Sequence, residues 1–309
     1  MRRAGPVGRK PHDEVRVKIA LLLLAVLLVP VGFVVYLYLT QDGLIYPRIV
    51  NEVPPPGDAQ ARFEAVRLST PDGAELSGVV FPPEGPERPD RGGGSGSPPR
   101  TALVLAFGGN AHDVVGFATF LKNTVFPQPG VAVAGVSYRG YPNALGRAST
   151  GVPSERALKA DALLVHDAMV ERFRPDAVVA IGYSLGSAVA TYLASQRSLA
   201  GLVLVAPPAS IRRLAQEQYP FVPVTLLLKS PWATEDILPG LTLPVTVVYA
   251  PADGLVPAAH IKVLRYANPR MTVVALEDAS HGTILDHPRM PQVLRERLAA
   301  AIGTPAPPR

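Results

Sequence analysis

At 309 residues, 48% hydrophobic and 18% charged, the chain is long enough to bury a sizeable core and too apolar for overall disorder. Its net charge of +5 sits mostly at one end, where Arg2, Arg3, Arg9, Lys10, Arg16 and Lys18 oppose only Asp13 and Glu14; with no basic, aromatic-interleaved stripe further on, nucleic acid is not an expected partner. The absence of cysteine excludes disulfides, thiolate metal sites and a cysteine nucleophile.

Residues 1–18 read as a basic tail. Ile19 to Leu39 follows as a run of 21 residues without a charge. At 1.5 Å per residue such a helix spans about 31 Å, roughly one hydrocarbon core. Pro30 is tolerated there with a kink, and Tyr36 and Tyr38 fall near the far end, where amphipathic rings favour the interface. A cleaved signal peptide is the competing reading, but the apolar run is long for one and no small-x-small site follows in YLTQDGLIYP. The sequence therefore predicts an uncleaved anchor, single-pass in the inner (cytoplasmic) membrane. The clustered positive charges place the N-terminus in the cytoplasm and the bulk of the chain outside.

Everything from residue 43 to 309 reads as one domain. Phe63 to Ser69 alternates, Pro71-Asp72-Gly73 supplies a turn, and Ala74 to Phe81 follows as a second strand, giving an antiparallel hairpin. Residues 82–100 are low-complexity and are expected to form a flexible surface loop. Then come non-alternating apolar runs: Ala102–Phe107, Val131–Ser137, Ala177–Tyr183, Leu202–Ala206, Val245–Ala250 and Thr272–Leu276. Such runs are strands buried on both faces. Helical patterns lie between them, the clearest from Pro153 to Phe173. The predicted fold is α/β: a mostly parallel sheet with an N-terminal antiparallel hairpin and helices on both faces.

Gly182-Tyr183-Ser184-Leu185-Gly186 follows a predicted strand and precedes an Ala-rich helix, Ser187 to Ser195. This is G-x-S-x-G in strand–turn–helix context, where glycines permit a tight turn and close backbone approach. Ser184 is the expected nucleophile, with the Leu185 N–H at the helix start as an oxyanion donor. A serine hydroxyl needs a base held by a carboxylate. Asp253 and His281 follow the next two strands, in the order serine, acid, histidine. Asp278 and Asp236 are less well-placed substitutes for Asp253. Of the six histidines, His12 precedes the anchor, His166 and His260 fall in predicted helices as surface padding, and His287 precedes Pro288 as a helix cap. His112 lies beside the loop Gly108-Gly109-Asn110-Ala111, whose Asn110 N–H is nominated as second oxyanion donor, with Ala111 as the alternative.

Together these residues resemble the α/β-hydrolase superfamily, over roughly Ala61 to Ala301. Within it they are similar to the membrane-anchored group of lysophospholipases, protein depalmitoylases and bacterial serine hydrolases. The resemblance is carried by Gly109-Asn110, Tyr138-Arg139-Gly140, Pro153-Ser154-Glu155, Ser184, Asp253 before Val256-Pro257, and His281. Three departures stand out. Gly108 replaces the group's usual histidine, which is expected to loosen the oxyanion loop. Ser137 stands where an acidic or amide residue is usual. The loop Tyr141 to Val152 is longer than usual, which is expected to reshape the pocket mouth. Residues 207–241 fall where such enzymes place a lid and are too short for a separate cap domain. The resemblance implies a serine esterase, lipase or thioesterase that forms an acyl-enzyme on an acyl-ester or lipid-like substrate, with no metal or organic cofactor. His112, Tyr183, Tyr219 and Phe221 are the expected substrate contacts. The same scaffold serves peptidases, acyltransferases and non-catalytic binding proteins, and sequence does not separate these.

Overall fold

The computed structural model describes residues 11–48, 63–84 and 101–303. Residues 1–10 of the basic tail and 85–100 of the low-complexity loop lie outside the described residues. The chain divides into two compact units, Met1–Gln41 and Asp42–Arg309.

The apolar run lies within one helix, α1 (Pro11–Ile45). It begins before and ends after the uncharged stretch, because nothing between Asp13 and Lys18 or between Thr40 and Ile45 breaks a helix decisively. Pro30 lies inside it. Its Val15–Ile45 portion is long and apolar enough to cross a membrane.

In the second unit, β1 (Glu64–Ser69) and β2 (Glu75–Phe81) form an antiparallel hairpin. The turn between them is closed by Thr70, whose hydroxyl donates to Asp72 at 2.6 Å, and by Gly73 at φ +84°. In chain order there follow β3 (Ala102–Phe107), α2 (Val114–Phe120) running into a π-turn at Leu121–Val125, β4 (Val131–Val136), α3 (Glu155–Phe173), β5 (Ala177–Tyr183) and α4 (Leu185–Gln196). Next are β6 (Gly201–Val205), then α5 (Ile211–Gln218), α6 (Val224–Leu227) and α7 (Thr234–Ile237) within the lid region. The chain closes with β7 (Val245–Tyr249), α8 (Ala258–Ala267), β8 (Thr272–Ala275) and α9 (Met290–Gly303).

Among the described residues the strands form one eight-stranded sheet in the order β1-β2-β4-β3-β5-β6-β7-β8. β2 pairs antiparallel with β1 and β4, and all remaining neighbours are parallel. In β3 to β7 the unbroken apolar runs are explained by burial on both sides, since successive residues of a strand face opposite layers; β8, expected to be buried likewise, is an edge strand with no buried residue. Leu103, Leu105, Ala180 and Leu202 pack with Leu158 and Val165 of α3 and Val189 and Leu193 of α4. Val104, Val179, Ile181 and Val203 pack with Phe117 of α2 and Val293, Leu294 and Leu298 of α9.

Two histidines depart from expectation. His166 and His260 were assigned to the surface, yet they are 5% and 0% exposed. His260 shares the face of α8 that carries buried Ile261 and Leu264, and its ring is satisfied on both nitrogens. Nδ1 accepts the Ala209 N–H at 2.9 Å, and Nε2 lies 3.0 Å from Glu217. A buried imidazole with two polar partners carries little desolvation penalty.

Candidate active site

The carboxyl edge of the parallel sheet gathers three loops. At the end of β5 the chain turns sharply through Ser184, at φ +51° and ψ −118°, straight into α4. Few residues with a side chain adopt this conformation. Packing enforces it. A Cβ on Gly182 would stand 2.3 Å from the Gly186 carbonyl oxygen, and one on Gly186 would stand 2.1 Å from that of Phe107. Strand, turn and helix therefore touch backbone to backbone, which only glycine permits. The Ser184 N–H donates to Val205 O at 2.8 Å and the Ser187 hydroxyl to Gly182 O at 2.9 Å, pinning the turn to β6 and β5.

Ser184 Oγ lies 3.0 Å from His281 Nε2, and His281 Nδ1 lies 2.7 Å from Asp253 Oδ2. Asp253 follows β7, and its other oxygen accepts the Leu255 and Val256 N–H groups, each at 2.8 Å. Burial pushes the Asp253 carboxyl toward neutrality, but its bond to His281 and the two backbone N–H groups outweigh burial and hold its pKa below the usual range. An ionised carboxylate only accepts, so His281 Nδ1 carries the proton and Nε2 presents a lone pair to the Ser184 hydroxyl. A hydroxyl in that position loses its proton as it attacks an electrophilic carbon.

Leu185 is the first helical residue of α4, so its N–H has no carbonyl within the helix to bond. Gly109 passes directly beside the serine, since a Cβ there would lie 3.4 Å from Ser184 Cβ. The loop is not loose, contrary to what Gly108 suggested. The Tyr138 hydroxyl donates to Gly108 O at 2.8 Å and the Tyr141 hydroxyl to Asn110 O at 2.7 Å. His112 packs into the room left by the missing side chain, with Nδ1 3.5 Å from where a Gly108 Cβ would be. Its ring stands edge-on to Phe117 and Tyr183, at 5.4 and 5.1 Å. Burial lowers its pKa to about 4, so it is neutral near pH 7, and Nδ1 is buried with no hydrogen-bond partner among the described residues.

Tyr183, an expected substrate contact, ends β5 directly before Ser184. It is 8% exposed and its hydroxyl donates to the His281 carbonyl at 2.7 Å, tying the histidine loop to β5. Tyr219 is half-buried at the end of α5, while Phe221 stands 98% exposed and closes over nothing. Sequence reasoning missed the work of Tyr138 and Tyr141. The Tyr138-Arg139-Gly140 segment was visible as a family-like feature, but nothing in its pattern shows which carbonyls the rings reach. Among the described residues, no group of three or more His, Cys, Asp or Glu is gathered as for a metal ion.

No protein-family model matches the chain. Over 253 residues it is 31% identical to the uncharacterized protein Rv2307c of Mycobacterium tuberculosis, covering 81% of this chain and 83% of that protein. It is 29% identical over 243 residues to the uncharacterized membrane protein YNL320W of Saccharomyces cerevisiae, covering 74% of this chain and 77% of that one. To the α/β hydrolase domain-containing protein WAV2 of Arabidopsis thaliana it is 30% identical over 168 residues, 47% of this chain and 53% of that protein. Among solved structures, an esterase from Pyrococcus furiosus superposes with a TM-score of 0.59 at 16% identity, over 84% of this chain and 98% of its own. The chain has the α/β-hydrolase fold and belongs to the same family as the mycobacterial protein Rv2307c.

Proposed function

We propose that the chain is a serine hydrolase that cleaves carboxylic esters or thioesters through an acyl-enzyme, and that α1 anchors it to a membrane. The observation that carries the reading is the hydrogen-bonded series Ser184 Oγ, His281 Nε2, His281 Nδ1, Asp253 Oδ2, at 3.0 and 2.7 Å. In the first half-reaction Ser184 Oγ bonds to the acyl carbon as its proton passes to His281 Nε2. The bond to the leaving oxygen or sulfur then breaks, and that atom takes the proton from His281. In the second, water gives a proton to His281 and attacks the acyl carbon, and Ser184 leaves with the proton returned. Ionised Asp253 stabilises the imidazolium in both halves. The Leu185 and Asn110 N–H groups would bind the oxyanion.

Anchoring rests on the length and apolarity of α1 and the basic tail ahead of its uncharged run, and the yeast relative's description as a membrane protein agrees with it. An enzyme so tethered meets amphiphilic acyl compounds at high local concentration, which favours lipid-like esters as substrates.

The test is fluorophosphonate labelling of the full-length chain in detergent, wild type beside Ser184→Ala, with esters and thioesters of short and long acyl chains assayed in parallel. Labelling and turnover confined to the wild type are expected, with turnover lower by at least ~10³-fold in the variant. A folded wild type that neither labels nor turns over any of these compounds would refute the reading.

A further inference from the structure

Two of the most exposed apolar side chains outside α1 belong to one short stretch of the lid region, Phe221 at 98% and Leu226 at 84%. A single apolar side chain in water is ordinary, but two such within six residues mark a surface with a partner. Their exposure is built in. Gln216 Nε2 of α5 lies 3.2 Å from each of the Tyr219, Pro220 and Val222 carbonyl oxygens, bracing the turn that carries Phe221. Val222 and Val224 are buried, so this stretch turns one set of apolar side chains inward and the other into solvent.

The lid region is also bonded to the residues at the end of α1. Lys229 Nζ lies 3.6 Å from Asp42 Oδ2, and the Trp232 indole N–H donates to the Tyr46 hydroxyl at 2.8 Å. Asp42 comes three positions after Leu39, the last residue of the uncharged run. Even a fully extended chain covers only about 11 Å in three residues. The headgroup layer on each side of a bilayer is about 5–8 Å thick. With Ile19 to Leu39 in hydrocarbon, Asp42 and its partner Lys229 therefore lie at or just beyond the headgroups. Leu226 is three residues before Lys229, and Leu44, beside Asp42, is also exposed. A hollow next to Lys229 is lined by Arg156, Lys159 and one carboxylate, Glu155. That carboxylate already binds Lys159 Nζ at 2.6 Å and the Trp232 N–H at 2.9 Å. The hollow thus presents more positive than negative charge, which suits lipid phosphates.

We infer that the lid region is a second membrane contact: it docks on the bilayer that holds α1, with Phe221 and Leu226 at the acyl boundary and Lys229 at the phosphates of anionic phospholipid. Apolar side chains beside cations are the combination that holds a surface at this depth. The inference rests on the anchoring reading above and not on the acyl-transfer chemistry. The lid region leaves the sheet at the end of β6, the strand next to β5, so docking brings the edge that carries Ser184 toward the lipid surface.

The chain has no cysteine, so single cysteines can be spin-labelled in the full-length protein, reconstituted in nanodiscs of phosphatidylcholine and phosphatidylglycerol. Labels at Leu28→Cys, Phe221→Cys, Leu226→Cys and Ala299→Cys are compared by power saturation with oxygen, which concentrates in lipid, and with a nickel chelate, which stays in water. Leu28 reports the anchor. Ala299 is exposed on α9, whose core contacts lie across the sheet from those of Trp232. The oxygen-to-nickel accessibility ratio at 221 and 226 should exceed that at 299 several-fold and approach that at 28. It should fall when phosphatidylglycerol is left out. Melting temperatures identify a variant that fails to fold, in which case the other lid position decides. Ratios at 221 and 226 equal to that at 299, with 28 in lipid, overturn the inference. Ratios indifferent to phosphatidylglycerol overturn the part given to Lys229. A water-exposed label at 28 overturns the anchoring reading itself, and the inference with it.

Discussion

His112 is a neutral ring whose Nδ1 is buried with no hydrogen-bond partner among the described residues. Its ordinary pKa of 6.5 falls to about 4 because burial disfavours the cation. Below about pH 6.5 the unfolded chain takes up a proton that the folded chain refuses, so stability falls as pH drops toward 4 and levels off beneath it. The full difference corresponds to roughly 3 kcal/mol. His112→Gln removes this linkage, so the variant should lose less stability between pH 7 and pH 4.5 than the wild type does, as read by denaturant unfolding at both pH values. Equal losses would mean that the ring is hydrated in the folded state. His112 and Tyr183 also show where a single residue resists reading from sequence. Each lies in the expected neighbourhood of Ser184, but whether it faces substrate or braces the loops depends on ring contacts that no local pattern encodes. His260 is the same case, since its partners Ala209 and Glu217 lie 51 and 43 residues away.

At the scale of elements, the join of β5, Ser184 and α4 is the least tolerant part of the molecule. Gly186→Ala would drive a Cβ to 2.1 Å from the Phe107 carbonyl, against backbone that has no side chain to move aside. A loss of more than about 3 kcal/mol is expected, or failure to fold. Gly254→Ala offers the contrast: it adjoins Asp253, yet a Cβ there meets nothing within 4 Å. It should change stability by less than about 0.5 kcal/mol. Thermal unfolding of the two variants checks both expectations, and equal effects would refute the packing argument. The elements themselves were largely legible. Runs buried on both faces announce parallel strands, and each predicted strand ends within a residue of the observed one. Loops at successive strand ends meet at one sheet edge, which is why Ser184, Asp253 and His281 could be paired from order alone. The clamp on Gly108 and Asn110 was not legible, because a hydroxyl reaching a carbonyl 30 or 31 residues away leaves no periodicity behind.

For the whole molecule, the distribution of charge yields a prediction about sidedness. With the positive residues clustered ahead of the uncharged run Ile19 to Leu39 and few in excess beyond it, the domain from Asp42 onward should lie on the extracytoplasmic side. In spheroplasts of a bacterial host, protease added outside should digest a tag fused after Arg309 and spare one fused before Met1. The reverse pattern would place the active site in the cytoplasm and redirect the search for substrates there. A further consequence follows from the backbone at Ser184. Its φ of +51° is a conformation that glycine holds without strain and serine holds at a cost of about 1–3 kcal/mol. The molecule is therefore strained at the residue proposed to do its chemistry, and stability and reactivity pull in opposite directions at one codon. A descendant released from selection for hydrolysis should drift to glycine there early, so the persistence of serine in a lineage would itself be a record of use.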